Sequence, residues 1–285
     1  MKLVLAHGRS QGTKSEQLLR EEWIPALRRG LKLAGKPPLP DDFDIRMPFY
    51  GAELDRLVGT PPPGTVVERG AADGKPNSVQ AELLVGLAHR AGISDEAIAR
   101  EMDVQYVEKG LQNWEWVQAV GRLLARRLPW LSEQILAQFL HDVDAYLTRV
   151  DVTTAVNGVV ASEIKGDSAV VVGHSLGSIV TYTVLTELGD NADVPLFVTL
   201  GSPLGIPVVK RYLPRPLGTP HGVEKWFNGA DERDPVALYA RLDRDTFPAD
   251  IENASDIHNP DDNPHGIVGY LSDTTVATRI RDALG

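Results

Sequence analysis

The segment best suited to covalent chemistry is Gly173-His174-Ser175-Leu176-Gly177. The apolar run Ser168–Gly173 leads into it, and a helical pattern over Ser175–Leu188 follows. A serine at the apex of a tight strand-to-helix turn projects its hydroxyl above the sheet. Such a turn strains the serine backbone and crowds it, so glycines two residues before and two after permit the close approach. The start of the helix then offers backbone N–H groups and a partial positive charge to a developing oxyanion. In a chain with 26 Gly the bare G-x-S-x-G pattern says little, and the strand-turn-helix context gives it weight. The competing reading is a glycine-rich turn closed by a capping serine. A serine hydroxyl is a poor nucleophile at neutral pH and needs an adjacent base, usually a histidine oriented by a carboxylate. The chain has 7 His: His7, His89, His141, His174, His221, His258 and His265.

Residues so far apart in the chain need a scaffold to bring them together. Short β-rich runs at Lys2–Ala6, Phe43–Pro48, Ser168–Gly173, Pro195–Leu200, Val223–Phe227 and about Asp250–Asn253 alternate with helical stretches. That is the pattern of an α/β protein with a mostly parallel sheet of about six strands flanked by helices. Several runs are continuously apolar, as strands covered on both faces must be. Ser15–Arg29, with Ser15 as cap, Leu131–Arg149, Ser175–Leu188 and Asp273–Leu284 read as helices. The crossover from the second run to the third exceeds a hundred residues, whereas a simple one needs about a dozen. It contains Pro61-Pro62-Pro63-Gly64, which regular structure excludes, and three short amphipathic patterns at Ser78–Arg90, Ser94–Arg100 and Asn113–Arg127. The expected organisation is a core of residues 1–51 and 131–285 with a helical cap inserted at 52–130.

Composition narrows the function. The 285 residues, 42% hydrophobic and 24% charged, suffice for a sizeable core and exclude wholesale disorder. A net charge of −10 argues against nucleic acid as partner. With no Cys, a thiol nucleophile, a disulfide and a thiolate metal site are all excluded. No apolar run approaches the roughly 20 residues of a membrane-spanning helix. The N-terminal apolar stretch is too short for a signal peptide, so the expected location is the cytoplasm.

The Gly-His-Ser-Leu-Gly elbow in this setting resembles the α/β-hydrolase superfamily, and within it the lipase- and esterase-like serine hydrolases. The resemblance spans residues 1–50 and 131–285 and leaves out the inserted segment. It implies an α/β-hydrolase fold, the chain order Ser, acid, His, and acid and base on loops after later strands. For the acid, Asn228-Gly229-Ala230-Asp231-Glu232-Arg233-Asp234-Pro235-Val236 is similar to the segment where such enzymes place Asp before Pro-Val, which points to Asp234. Asp231 is the rival, with a turn residue as its plainer reading. For the base, His265 opens His265-Gly266-Ile267-Val268-Gly269-Tyr270-Leu271 just before the final helix, where similar hydrolases carry it. His258 is the alternative. His174 belongs beside the nucleophile rather than in its service. The spacings from Ser175 to Asp234 and from Asp234 to His265 each leave room for one or two βα units.

The loop after the first strand is His7-Gly8-Arg9-Ser10-Gln11-Gly12-Thr13-Lys14-Ser15. In lipase-like hydrolases a His-Gly loop here supplies one oxyanion N–H from the residue after the glycine, here Arg9, while Leu176 supplies the other. Gly8–Ser15 also fits the phosphate-binding pattern G-x-x-x-x-G-K-S except at Thr13. A β-branched residue at a glycine position, and the lack of a strand ending in a magnesium-binding acid, count against nucleotide hydrolysis. Gly201-Ser202-Pro203-Leu204-Gly205 reads as wall and turn geometry, since Pro203 disfavours Ser202 as a nucleophile. His258, Asp261, Asp262 and His265 are close enough in sequence to suggest a divalent cation, but their irregular spacing favours turn chemistry. Trp114, Trp116 and Val117 either line an acyl pocket, or the aromatic residues of the inserted segment, with Trp130 at its edge, simply close it on the core.

The resulting expectation is a serine esterase without cofactor or metal, acting on a small-molecule or lipid-like ester through Ser175, His265 and Asp234. Thioesterase or acyltransferase chemistry and a non-catalytic hydrolase-like binding protein are the alternatives.

Overall fold

A computed structural model describes residues 1–8, 15–61, 64–69, 77–102, 113–128 and 131–285. In chain order the first half forms β1 (Lys2–Ala6), α1 (Glu16–Leu33), β2 (Ile45–Arg46), α2 (Gly51–Val58), α3 (Ser78–Arg90), α4 (Asp95–Glu101), α5 (Trp114–Arg127) and α6 (Glu133–Thr148). The second half forms α7 (Val150–Ile164), β3 (Ala169–His174), α8 (Leu176–Leu188), β4 (Leu196–Leu200), α9 (Pro207–Tyr212), β5 (Trp226–Gly229), β6 (Glu252–Ala254), α10 (Ile267–Ser272) and α11 (Thr274–Leu284). Two compact units share these elements. One comprises Met1–Glu53, Thr153–Gly205 and Leu213–Gly285, and the other Leu54–Val152 and Ile206–Tyr212.

The first unit holds a six-stranded, all-parallel sheet in the order β2-β1-β3-β4-β5-β6. β1, β3 and β4 are buried along their whole length, which is why their sequences are continuously apolar. Leu3, Leu5, Val170, Val172, Val198 and Phe227 turn to one face and form a single core with Trp23, Leu27 and Leu31 of α1 and with Tyr270, Val276 and Ile280 of α10 and α11. Each such side chain contributes about 1.5–3 kcal/mol on burial. α8 packs on β3 and β1. Ser15 caps α1 as expected, its side chain accepting from the Leu18 N–H, but the helix runs on past Arg29 to Leu33.

Two features of this sheet decide where chemistry can sit. Parallel pairing puts the C-terminal ends of all strands on one edge: Gly173 lies beside Ala6, His174 beside Leu200, Leu200 beside Gly229, and Gly229 beside Ala254. The chain also passes from β2 on one side of β1 to β3 on the other. At such a switch point the loops leaving the two central strands part and open a crevice.

The second unit is helical. α3, α5 and α6 pack on one another, α4 lies on α5, and α9 lies on α3 and α6. Its buried side chains include Leu83, Leu84, Val117, Val120, Leu136 and Leu140. Two buried glutamines replace a strand partner for the segment before α3. Gln118 Oε1 accepts from the Val66 N–H (2.8 Å), its Nε2 donates to the Val67 carbonyl (2.7 Å), and Gln80 Oε1 accepts from the Glu68 N–H (2.9 Å).

Several boundaries differ from the sequence expectation. The helical unit is larger than 52–130, because α6 packs on α3 and α5. Leu131–Arg149 is followed directly by a further helix, α7, that the apolar periodicity does not announce. β2 is two residues long rather than Phe43–Pro48, an edge strand bounded by Pro40 and Pro48. β5 starts at Trp226, and Val223 makes only an isolated bridge to Val194. Among the described residues, no helix is long and apolar enough to cross a membrane.

Candidate active site

Ser175 sits between β3 and α8 with φ 55° and ψ −127°, alone among the described non-glycine residues in having positive φ. Its side chain makes no capping bond to α8, so the capping-serine reading has no support in the geometry. The turn is fixed on three sides. The Ser175 N–H donates to the Leu200 carbonyl (3.1 Å), the Ser178 N–H donates to the Ser175 carbonyl (2.9 Å), and the Ser178 hydroxyl donates to the same carbonyl (2.6 Å). Ser202 Oγ lies 2.8 Å from Ser178 Oγ and accepts from the Leu204 N–H at 3.2 Å. A β-carbon on Gly173 would lie 2.5 Å from Thr181 Oγ1, and one on Gly177 2.4 Å from the Ala6 carbonyl oxygen. The two elbow glycines are therefore needed for packing. Such a strained residue persists only where its surroundings over-determine it, and strain of this kind clusters at functional sites.

Leu176 is the first residue of α8, where a backbone N–H has no acceptor within the helix. The loop after β1 approaches from the other side of the switch point, and a β-carbon on Gly8 would lie 2.8 Å from Ser175 Cβ. Arg9, the other expected oxyanion donor, lies outside the described residues, as do Thr13, Lys14 and Trp130.

The acid and base expected from the sequence are in direct contact. His265 Nδ1 lies 2.7 Å from Asp234 Oδ2. A carboxylate oxygen accepts, so Nδ1 carries the proton and Nε2 is the nitrogen that can act as a base. Asp234 is fully buried (0% exposed). Its Oδ1 accepts from the backbone N–H groups of Val236 (2.9 Å) and Ala237 (3.4 Å), and its Oδ2 also accepts from the Tyr270 hydroxyl (2.7 Å). Gly201, φ 54°, passes beside this pair. A β-carbon there would lie 2.9 Å from Asp234 Oδ2 and 3.1 Å from His265 Nδ1, so glycine meets both a backbone and a space requirement.

His174 links the pair to the elbow. Its ring lies against that of His265 (centroids 4.7 Å apart), and its Nε2 donates to the His265 carbonyl at 2.9 Å. Burial, reinforced by the neighbouring His265, holds the His174 ring neutral, with its pKa well below the usual value. His7 is likewise buried, stacked on Tyr50 at 4.1 Å, with Nδ1 donating to the Gly8 carbonyl. Burial lowers its pKa to about 4.

The rivals have other work. Asp231 accepts from the Arg233 backbone N–H, from Arg233 Nε and Nη2, and from the Asn259 N–H at 2.7–3.0 Å. Burial alone would raise its pKa, but these donors together hold it below the ordinary carboxylate range. Arg233 also bonds Asp261 and the Asn259 carbonyl, while Asn259 Nδ2 donates to the Pro264 carbonyl (2.7 Å). Asp231 thus fastens the loop that carries His265. His258 is exposed and its Nδ1 faces the Asp256 carbonyl at 2.7 Å. His258, Asp261, Asp262 and His265 do not converge, and no cluster of three metal-ligating side chains occurs among the described residues.

Sequence reasoning missed Tyr270, Arg233 and the Ser178–Ser202 pair. A tyrosine on the apolar face of a helix was the available signal for Tyr270, since a buried phenol needs a partner. Compared with known proteins, the chain matches no family model, no curated protein and no solved structure.

Proposed function

We propose that the protein is a serine hydrolase of α/β-hydrolase type that cleaves carboxylic esters. The observation that carries this reading is the buried Asp234–His265 pair on the sheet edge that also holds the strained, uncapped Ser175. No Arg or Lys bonds Asp234 among the described residues. Its charge is matched by an imidazole that can take up and release a proton, as an acid–base relay requires.

In the proposed cycle His265 Nε2 takes the Ser175 proton as Ser175 Oγ attacks the acyl carbon. Asp234 remains ionised, keeps Nδ1 protonated and stabilises the imidazolium that forms. The Leu176 N–H and the positive end of α8 stabilise the oxyanion, where one such donor supplies about 3–4 kcal/mol. The ester C–O bond breaks as the leaving oxygen takes the proton from His265. Water, deprotonated by His265, then attacks the acyl-enzyme and releases the acid and the Ser175 hydroxyl. A thiol leaving group or an alcohol acceptor fits the same steps.

The test is hydrolysis of p-nitrophenyl esters from acetate to laurate. The wild type should turn over at least one member with pre-steady-state acylation, and Ser175→Ala should lose about 10⁴-fold or more in kcat. Equal rates in both proteins would remove Ser175 from the reaction. No turnover by folded wild type would favour a hydrolase-like binding protein.

A further inference from the structure

We infer that Tyr270 is a positioning residue that tunes the Asp234–His265 pair by sharing Asp234 Oδ2 with the imidazole. This deepens the serine-hydrolase reading and rests on it. The phenol oxygen occupies a fixed place in the turn that carries the acid. It donates to Asp234 Oδ2 at 2.7 Å and accepts from the Asp231 N–H at 3.1 Å. The ring is wholly buried on α10, five residues after His265, so one short segment carries both donors to the same carboxylate oxygen.

Three physical consequences follow. First, the hydroxyl is always a donor here. Burial, with the Asp234 charge beside it, pushes the Tyr270 pKa well above its ordinary value, so it never competes as an anion. Second, its donation withdraws negative charge from the oxygen that faces His265. The carboxylate then orients the ring without binding the imidazolium as strongly as a bare one would. Too tight a grip on the imidazolium would keep His265 protonated and deprive Ser175 of its base. Third, the two bonds fix the rotation of the carboxylate, with Oδ1 fixed separately by the Val236 and Ala237 N–H groups.

Among the described residues, the other titratable groups that act on the pair do not supply this effect. His174, against His265, and His7, which acts on His174, are both kept neutral by burial. Asp231 is the second carboxylate facing Tyr270, and it is bound to Arg233. The phenol is therefore the side-chain donor that shares Oδ2 with the imidazole.

The experiment compares wild type, Tyr270→Phe and a protein carrying 3-fluorotyrosine at position 270. It measures pH profiles of kcat/KM and an NMR titration of the His265 ring. Phenylalanine leaves Oδ2 with its full charge, so the acid limb of kcat/KM should move to higher pH by about half a unit to one unit. Fluorotyrosine is a stronger donor and should move it the opposite way. The NMR midpoint of His265 should follow both signs. A rate loss that is equal at all pH values, with unmoved midpoints, would reduce Tyr270 to a packing residue and overturn the inference. If Tyr270→Phe does not fold, the sign of the fluorotyrosine shift decides. The NMR titration needs no ester, which separates the two claims. Shifting midpoints in a protein without ester turnover would sink the hydrolase reading alone, and fixed midpoints in an active esterase would sink the Tyr270 inference alone.

Discussion

Asp231 and Asp234 stand three residues apart after β5, and both are buried, at 1% and 0% exposure. Asp231 is held by a guanidinium that never releases its proton, together with two backbone N–H groups. Asp234 is held by an imidazole, a phenol and two backbone N–H groups. Burial does not distinguish a structural carboxylate from a catalytic candidate. The partner does: a permanent cation makes a clamp, and a titratable one suits the proposed relay.

The largest effect should come from the relay. Asp234→Asn is expected to keep the fold but lower kcat by about 10⁴-fold, because an amide can hold His265 in the wrong tautomer and cannot stabilise its charged form. Steady-state kinetics beside a thermal melt checks this, and a mild rate effect would erase the contrast between the two aspartates.

A second test sharpens the contrast with groups that have no counter-charge at all. His7 is neutral by burial, with a pKa of about 4 against an ordinary value of 6.5. Its folded pKa lies below its unfolded one, so its contribution is complete above pH 6.5 and is lost as the pH falls to about 4. The loss is about 3 kcal/mol. Urea melts across this range should show the decline, and His7→Phe, which keeps a ring on Tyr50, should reduce its slope, leaving the part that belongs to the buried His174. An unchanged slope would mean that His7 is not a titrating group.

The smallest effect belongs to the clamp. Asp231→Asn should lower stability by about 1–3 kcal/mol while leaving kcat within a few fold. Asp231 has a depressed pKa, so its share of stability is present above the ordinary carboxylate range and is lost only as the pH falls below about 4. That window lies below the one for His7, and the variant should flatten the lower window only.

The same contrast explains what could be read from the sequence. β1, β3 and β4 were legible because strands buried on both faces are written as unbroken apolar runs. β5 was misjudged by about three residues because its interior includes Asn228, a polar residue buried through bonds to Thr199 and Asn253. α7 escaped because Val150–Ile164 is rich in Val and Thr, with Gly158 in the middle, a composition that local propensity assigns to a strand. Asp234 and His265 were singled out through their motif context, and the structure brings them into contact. Tyr270 was not singled out, because a hydroxyl that matters only through a contact made in three dimensions leaves no spacing pattern.

The most direct test of the account is intact-mass analysis after reaction with a fluorophosphonate, comparing wild type with Ser175→Ala. The account predicts a single adduct on the wild type and none on the variant. A folded wild type that takes up no adduct, or a variant labelled equally well, would contradict the claim that Ser175 is an activated nucleophile.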